Sequence, residues 1–143
     1  MFQIKGDTRQ LEAFVRKLSA AGSDLGELSE SLASEAENLT KDSFRAQKDP
    51  YGQRWAPRRS ESRRSSGKQI LVASGVLKGS INSKSSASQF SVGYSQQYGT
   101  YHQSGTSKMV QRMMVPDAGR GLPSSWAREF KAVVSDFFEE LFG

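Results

Sequence analysis

The chain has no cysteine and only one histidine, His102, among its 143 residues. The first absence excludes disulfide stapling and thiolate metal sites, so the fold must rest on packing, and a reducing compartment suits it. The second leaves only carboxylates as companions for one imidazole, which removes the usual transition-metal ligand sets. No segment approaches the roughly 18 apolar residues of a membrane-spanning helix, and MFQIKGDTRQ turns polar at once, so the chain reads as soluble and unprocessed, made in a cytoplasm. Phosphate cradles are missing too: GVLKGS at 75–80 lacks P-loop spacing, and no GxGxxG occurs. Ser104 follows His102 without a nucleophile elbow, and Glu139 and Glu140 are helix neighbours whose side chains diverge. The expectation is a protein that is not an enzyme and takes no cofactor or metal.

What is present is aromatic and, in one place, basic. The hydrophobic fraction is 36% but includes eight Phe and two Trp, enough for one modest core, so a single domain over 1–143 is expected. The net charge of +5 has one location: six bases between residues 54 and 68 (Arg54, Arg58, Arg59, Arg63, Arg64, Lys68) face one acid, Glu61, and the remainder is neutral. Residues 56–68 lack apolar periodicity and read as a mobile basic loop, a candidate for contact with DNA phosphates or with an acidic protein face.

Leu11, Phe14, Val15 and Leu18 predict an amphipathic helix over 7–22. Leu25, Leu28, Leu32, Ala36 and Leu39 predict a second, longer one from 25 to about 48, stopped by DPYG at 49–52. A short helix is expected to start at Ser74, with Leu77 and Ile81 on one face. Period-two runs at 81–87 and at Phe90, Val92 and Tyr94 predict a β-hairpin. A third extended run at 108–116 is expected to complete the sheet, together with Phe2 and Ile4. From Pro123 onward Trp126, Phe130, Val133, Val134, Phe137, Phe138 and Leu141 recur at helical spacing. That helix either covers the sheet or faces another subunit, which makes Trp126, Phe130, Phe137, Phe138 and Leu141 candidate interface residues. The expected class is α+β, a small antiparallel sheet packed by two N-terminal helices and a C-terminal helix. In YGTYHQSG at 98–105, Tyr98 and Tyr101 are expected to bury ring area, His102 and Gln103 to tie a connection by hydrogen bonds, and Gly105 to allow a turn.

Four pieces in order resemble the phage virion morphogenesis family, the Mu-like group that includes tail completion proteins: DPYGQRWAP, ILVASGVLKGSI, VGYSQQYGTYHQSG and VQRMMV. Asp49, Gly52 and Trp55 match its Asp-x-x-Gly-x-x-Trp turn. Leu71, Ser74, Gly75 and Leu77 match its Leu-x-x-(Ser/Thr)-Gly-x-Leu element, and Tyr98, His102, Gln103 and Gly105 its Tyr-Ala-x-x-His-Gln-x-Gly segment, with Gly99 where Ala is usual. Arg112 matches the arginine of the last strand, where Gln111 replaces the frequent proline. The resemblance implies a structural protein of the phage neck, completing the tail or joining it to the head as a ring of copies, commonly six, beside the connector and tail-tube proteins. Terminator and head-side stopper roles both remain open, as does a DNA-binding accessory role for the basic loop.

Overall fold

The apolar stripe that begins at Leu25 needs a surface to cover, and a three-stranded sheet provides it. In the computed structural model, residues 2–3, 16, 25–58, 70–71, 75–87 and 89–142 are described, with backbone alone for 2, 3, 141 and 142. The elements are β1 (Phe2–Gln3), α1 (Leu25–Ala46), α2 (Val76–Gly79), β2 (Ile81–Ser85), β3 (Phe90–Tyr94), α3 (Gly99–Ser104) and α4 (Ser124–Phe142). Of the helix expected over 7–22 only Arg16 is described, in helical conformation, and the rest, like Ile4, lies outside the described residues.

The sheet order is β1-β3-β2, antiparallel throughout. The hairpin pairs Ile81 with Tyr94 and Ser83 with Val92, while Phe2 pairs with Val92 from the other edge. One face of this sheet meets α1: the Ser83 hydroxyl donates to Glu37 at 2.8 Å, and the register puts Val92, fully buried, on the same side. α4 packs against α1, and its Phe130 ring meets Phe90 edge-on at 5.5 Å, closing the core from the sheet side. The α+β expectation therefore holds, with helices against one small antiparallel sheet.

The stripe on α1 runs further than its leucines suggest. Leu39 is only partly buried, whereas Thr40 and Phe44, spaced four apart after Ala36, are fully buried. Thr40 can occupy that line because its hydroxyl donates to the Ala36 carbonyl at 2.9 Å and leaves only its methyl to be packed. α1 also stops before DPYG. Gln47 takes the left-handed conformation at φ 57, and the amide of Lys48 donates back to the Ser43 carbonyl, a C-terminal closure that usually employs glycine.

Two other boundaries differ from the sequence expectation. α2 begins at Val76, with Gly75 at its N-cap in the left-handed region (φ 75), a position open to glycine at no steric cost. Residues 108–116 form no strand and do not join the sheet. At the buried end of this run the backbone groups of Met113, Met114 and Val115 are taken instead by the side chains of two motif residues, Trp55 and Gln103.

Candidate functional site

The Asp-Pro-Tyr-Gly turn is built by one carboxylate. Asp49 Oδ1 accepts the amides of Tyr51 at 2.8 Å and Gln53 at 3.0 Å, and its carbonyl accepts the amide of Gly52, whose φ of +93 closes the turn. The turn delivers Trp55 to the core, 5% exposed, edge-on to Phe44 at 5.3 Å, with its indole N–H donated to the Met113 carbonyl at 2.8 Å. It also aims Tyr51 at the opposite loop. Its hydroxyl donates to the Gly121 carbonyl at 2.6 Å and accepts the Asp117 amide at 3.1 Å, while the Arg120 guanidinium lies over the ring, 3.8 Å from its centroid. Burial, the largest influence, pushes the Tyr51 phenol upward, so it stays protonated and able to donate.

In α3 the inward face is formed by Gly99 and Gln103, one turn apart. The Gln103 amide acts as a substitute strand: Oε1 accepts the amides of Met114 at 2.8 Å and Val115 at 3.1 Å, and Nε2 donates to the Val115 carbonyl at 2.7 Å. Gly99 is buried beneath Tyr94 and Leu77, and a Cβ there would lie 2.6 Å from Tyr94 Cδ2 and 3.1 Å from Leu77 Cδ1. This chain therefore has no room for the alanine usual at that place. Gly99→Ala is expected to cost about 1–3 kcal/mol through overpacking, read as a lower urea midpoint, and a variant as stable as the parent would refute the contact. Gly105 ends the motif at φ +72, where a side chain would also press on Gln111.

Three expectations about this motif change. Tyr98 and Tyr101 do not bury their rings but are 38% and 48% exposed, because the short helix turns them outward when Gly99 and Gln103 turn inward. The His102 side chain ties nothing through Nδ1, which is buried without a hydrogen-bond partner; only its backbone carbonyl is used, accepting the Arg112 amide at 2.7 Å. Burial first, and Arg112 second, hold the imidazole below its ordinary pKa, so it is a neutral packing group edge-on to Tyr98.

Arg112 anchors the base of the basic segment. Its Nε donates to the Ala56 carbonyl at 2.8 Å and Nη2 to the Pro57 carbonyl at 3.2 Å. The far end of the segment is held by Gln47, which exchanges hydrogen bonds with the Ile70 amide at 2.6 Å and carbonyl at 3.2 Å. Leu71 follows at φ 65, so both non-glycine residues with positive φ among the described residues flank this segment. Arg54 is exposed and Arg58 half-buried, whereas Arg59, Arg63, Arg64 and Lys68 lie outside the described residues.

The aromatic candidates of α4 divide. Trp126 and Phe130 are 2% and 8% exposed, edge-on to each other within the chain's own core, which corrects their assignment to a subunit surface. An aromatic at helical spacing signals burial, not what buries it. Phe137 and Phe138 are half-buried, and the side chain of Leu141 is outside the described residues. Sequence reading missed Gln47, Tyr51 and Phe44. A large aromatic four residues beyond Thr40 was a signal for the last, but nothing local announces the reach of Gln47 to Ile70 or of Tyr51 to Gly121.

Among the described residues no cluster of histidine and carboxylate side chains could hold a metal ion, and no helix is long and apolar enough to cross a membrane. The side chains of Asp49, Trp55, Gln103 and Arg112 hold the chain's own loops together. Comparison with known proteins found no match among curated proteins and none among solved structures. The sequence profile of the phage virion morphogenesis family, in contrast, matches residues 6–125, a span that includes the Asp49 turn, the Gln103 clamp and Arg112. On that match the chain belongs to the phage virion morphogenesis family, a structural family, and its role is in building the phage particle.

Proposed function

We propose that the protein completes the phage tail and joins it to the head as a homo-oligomeric ring in the neck, six copies being the expected number. The observation that carries this reading is the family match over residues 6–125. Two features support it. The motif side chains Asp49, Trp55, Gln103 and Arg112 are employed in holding the subunit's own loops together, which suits a part that acts by contact. The outer half of α4 keeps Phe137 and Phe138, in edge contact at 5.8 Å, only half-buried beside the acids Asp136, Glu139 and Glu140. An apolar pair rimmed by charge is the composition of an interface centre with a polar rim. Ring contacts are heterologous, so this surface meets a different one on the next copy.

The test is an electron-microscope inventory of particles made without the protein. DNA-filled heads beside unattached tails are expected, and tails of abnormal length would assign the terminator role specifically. Normal-length free tails beside heads that have lost their DNA would assign the head-side stopper role instead, and intact joined particles would overturn the reading. On complementation, Phe137→Asp or Phe138→Asp is expected to abolish incorporation into particles while the purified variant remains folded.

A further inference from the structure

The stem of the basic segment brings cations together in two like-charge pairs. Lys48 and Arg54 form an isolated antiparallel bridge, which places their exposed side chains opposite each other on one side of the backbone. Arg112 lies across the carbonyls of Ala56 and Pro57, immediately before Arg58. Burial first, and the positive charge of Arg58 second, lower the pKa of Arg112. Like charges directly opposite destabilise a ladder. No carboxylate among the described residues forms an ion pair with Lys48, Arg54 or Arg112. Only two of the five guanidinium N–H groups of Arg112 are used by the hydrogen bonds to Ala56 and Pro57.

The chemistry of the occupant follows from what surrounds these cations. Trp55 is buried with its N–H committed, and the Tyr51 ring is covered by Arg120, so neither aromatic can stack on a base or anchor a protein partner. What remains is positive charge at adjoining positions of the stem. The array continues in sequence through Arg59, Arg63, Arg64 and Lys68. We propose that Lys48, Arg54 and Arg112 form a docking surface for the phosphate backbone of duplex DNA, read without regard to base sequence. Arg112 thereby does two things: it holds the stem and offers its remaining donors to a phosphate. The neck reading supplies the source of the duplex, and the test uses purified protein so that failure of either leaves the other standing.

The full chain is titrated against two fluorescein-labelled duplexes of unrelated sequence and against polyglutamate of matched charge, with anisotropy as the readout. Equal affinity for the two duplexes is expected, with log K falling linearly as log salt rises. Lys48→Ser combined with Arg54→Ser, both at exposed side chains, is expected to weaken duplex binding about tenfold and to reduce the salt slope by about 2. A thermal melt of the double variant verifies the fold. An absence of duplex binding at low salt, or an unchanged Kd in the double variant, overturns the proposal. Tighter binding to polyglutamate than to duplex also overturns it and points to an acidic protein face.

Discussion

Gln103→Leu is expected to remove about 3–5 kcal/mol of stability. The side chain is nearly the same size, so the loss is not one of volume. It is the loss of three hydrogen bonds to the backbone at Met114 and Val115, residues that are 0% and 1% exposed. Each orphaned buried group costs about 1–3 kcal/mol because water cannot replace the amide. In a chain of this size the expected loss corresponds to a fall in Tm of about 10 °C or more. Gln103→Glu separates the components. A carboxylate keeps the acceptor for the two amides but confronts the Val115 carbonyl, so this variant should lie between the parent and the leucine variant. A leucine variant that melts within a degree or two of the parent would show that residues 113–115 do not depend on α3.

Trp55→Ala is expected to cost about 3–5 kcal/mol, and Trp55→Phe about 1–2 kcal/mol. The indole fills the space between α1 and residues 113–115, in edge contact with Phe44, which is fully buried. Its N–H also satisfies a carbonyl of the strandless segment, at Met113. Phenylalanine restores most of the volume and the edge contact but leaves that carbonyl unpaired, so the difference between the two variants isolates packing from hydrogen bonding. Denaturant melts monitored by circular dichroism at several urea concentrations give both values. If the phenylalanine variant proves as unstable as the alanine variant, the hydrogen bond and not the packing dominates at this site.

Both predictions concern the same construction, a segment whose backbone is satisfied by side chains rather than by a neighbouring strand. That explains why it was misread. Residues 108–116 show the apolar content of a strand, and local pattern says only that such a segment will be buried and extended. Which groups complete its hydrogen bonds depends on Gln103, presented by α3, and on Trp55, 58 residues from Met113 and delivered by the Asp49 turn. The outward turn of Tyr98 and Tyr101 was hidden for a related reason: α3 spans only six residues, too few to reveal the phase of its buried face.

The sequence by itself determined the long elements, the turn chemistry and the family. Leucines at helical spacing from Leu25, aromatics from Trp126 and the alternation of Phe90, Val92 and Tyr94 each encode an element because burial of one face is a local, periodic requirement. Asp49 and Gly52 encode their turn because a carboxylate within reach of nearby amides and a positive φ are local facts as well. Tertiary structure alone decided that Trp126 and Phe130 belong to the core, that Gln103 and not His102 is the anchor, and that Gln47 and Arg112 hold the stem of the basic segment. Those are pairings between groups far apart along the chain. A residue type states what it can bond or bury, and only the folded arrangement selects its partner.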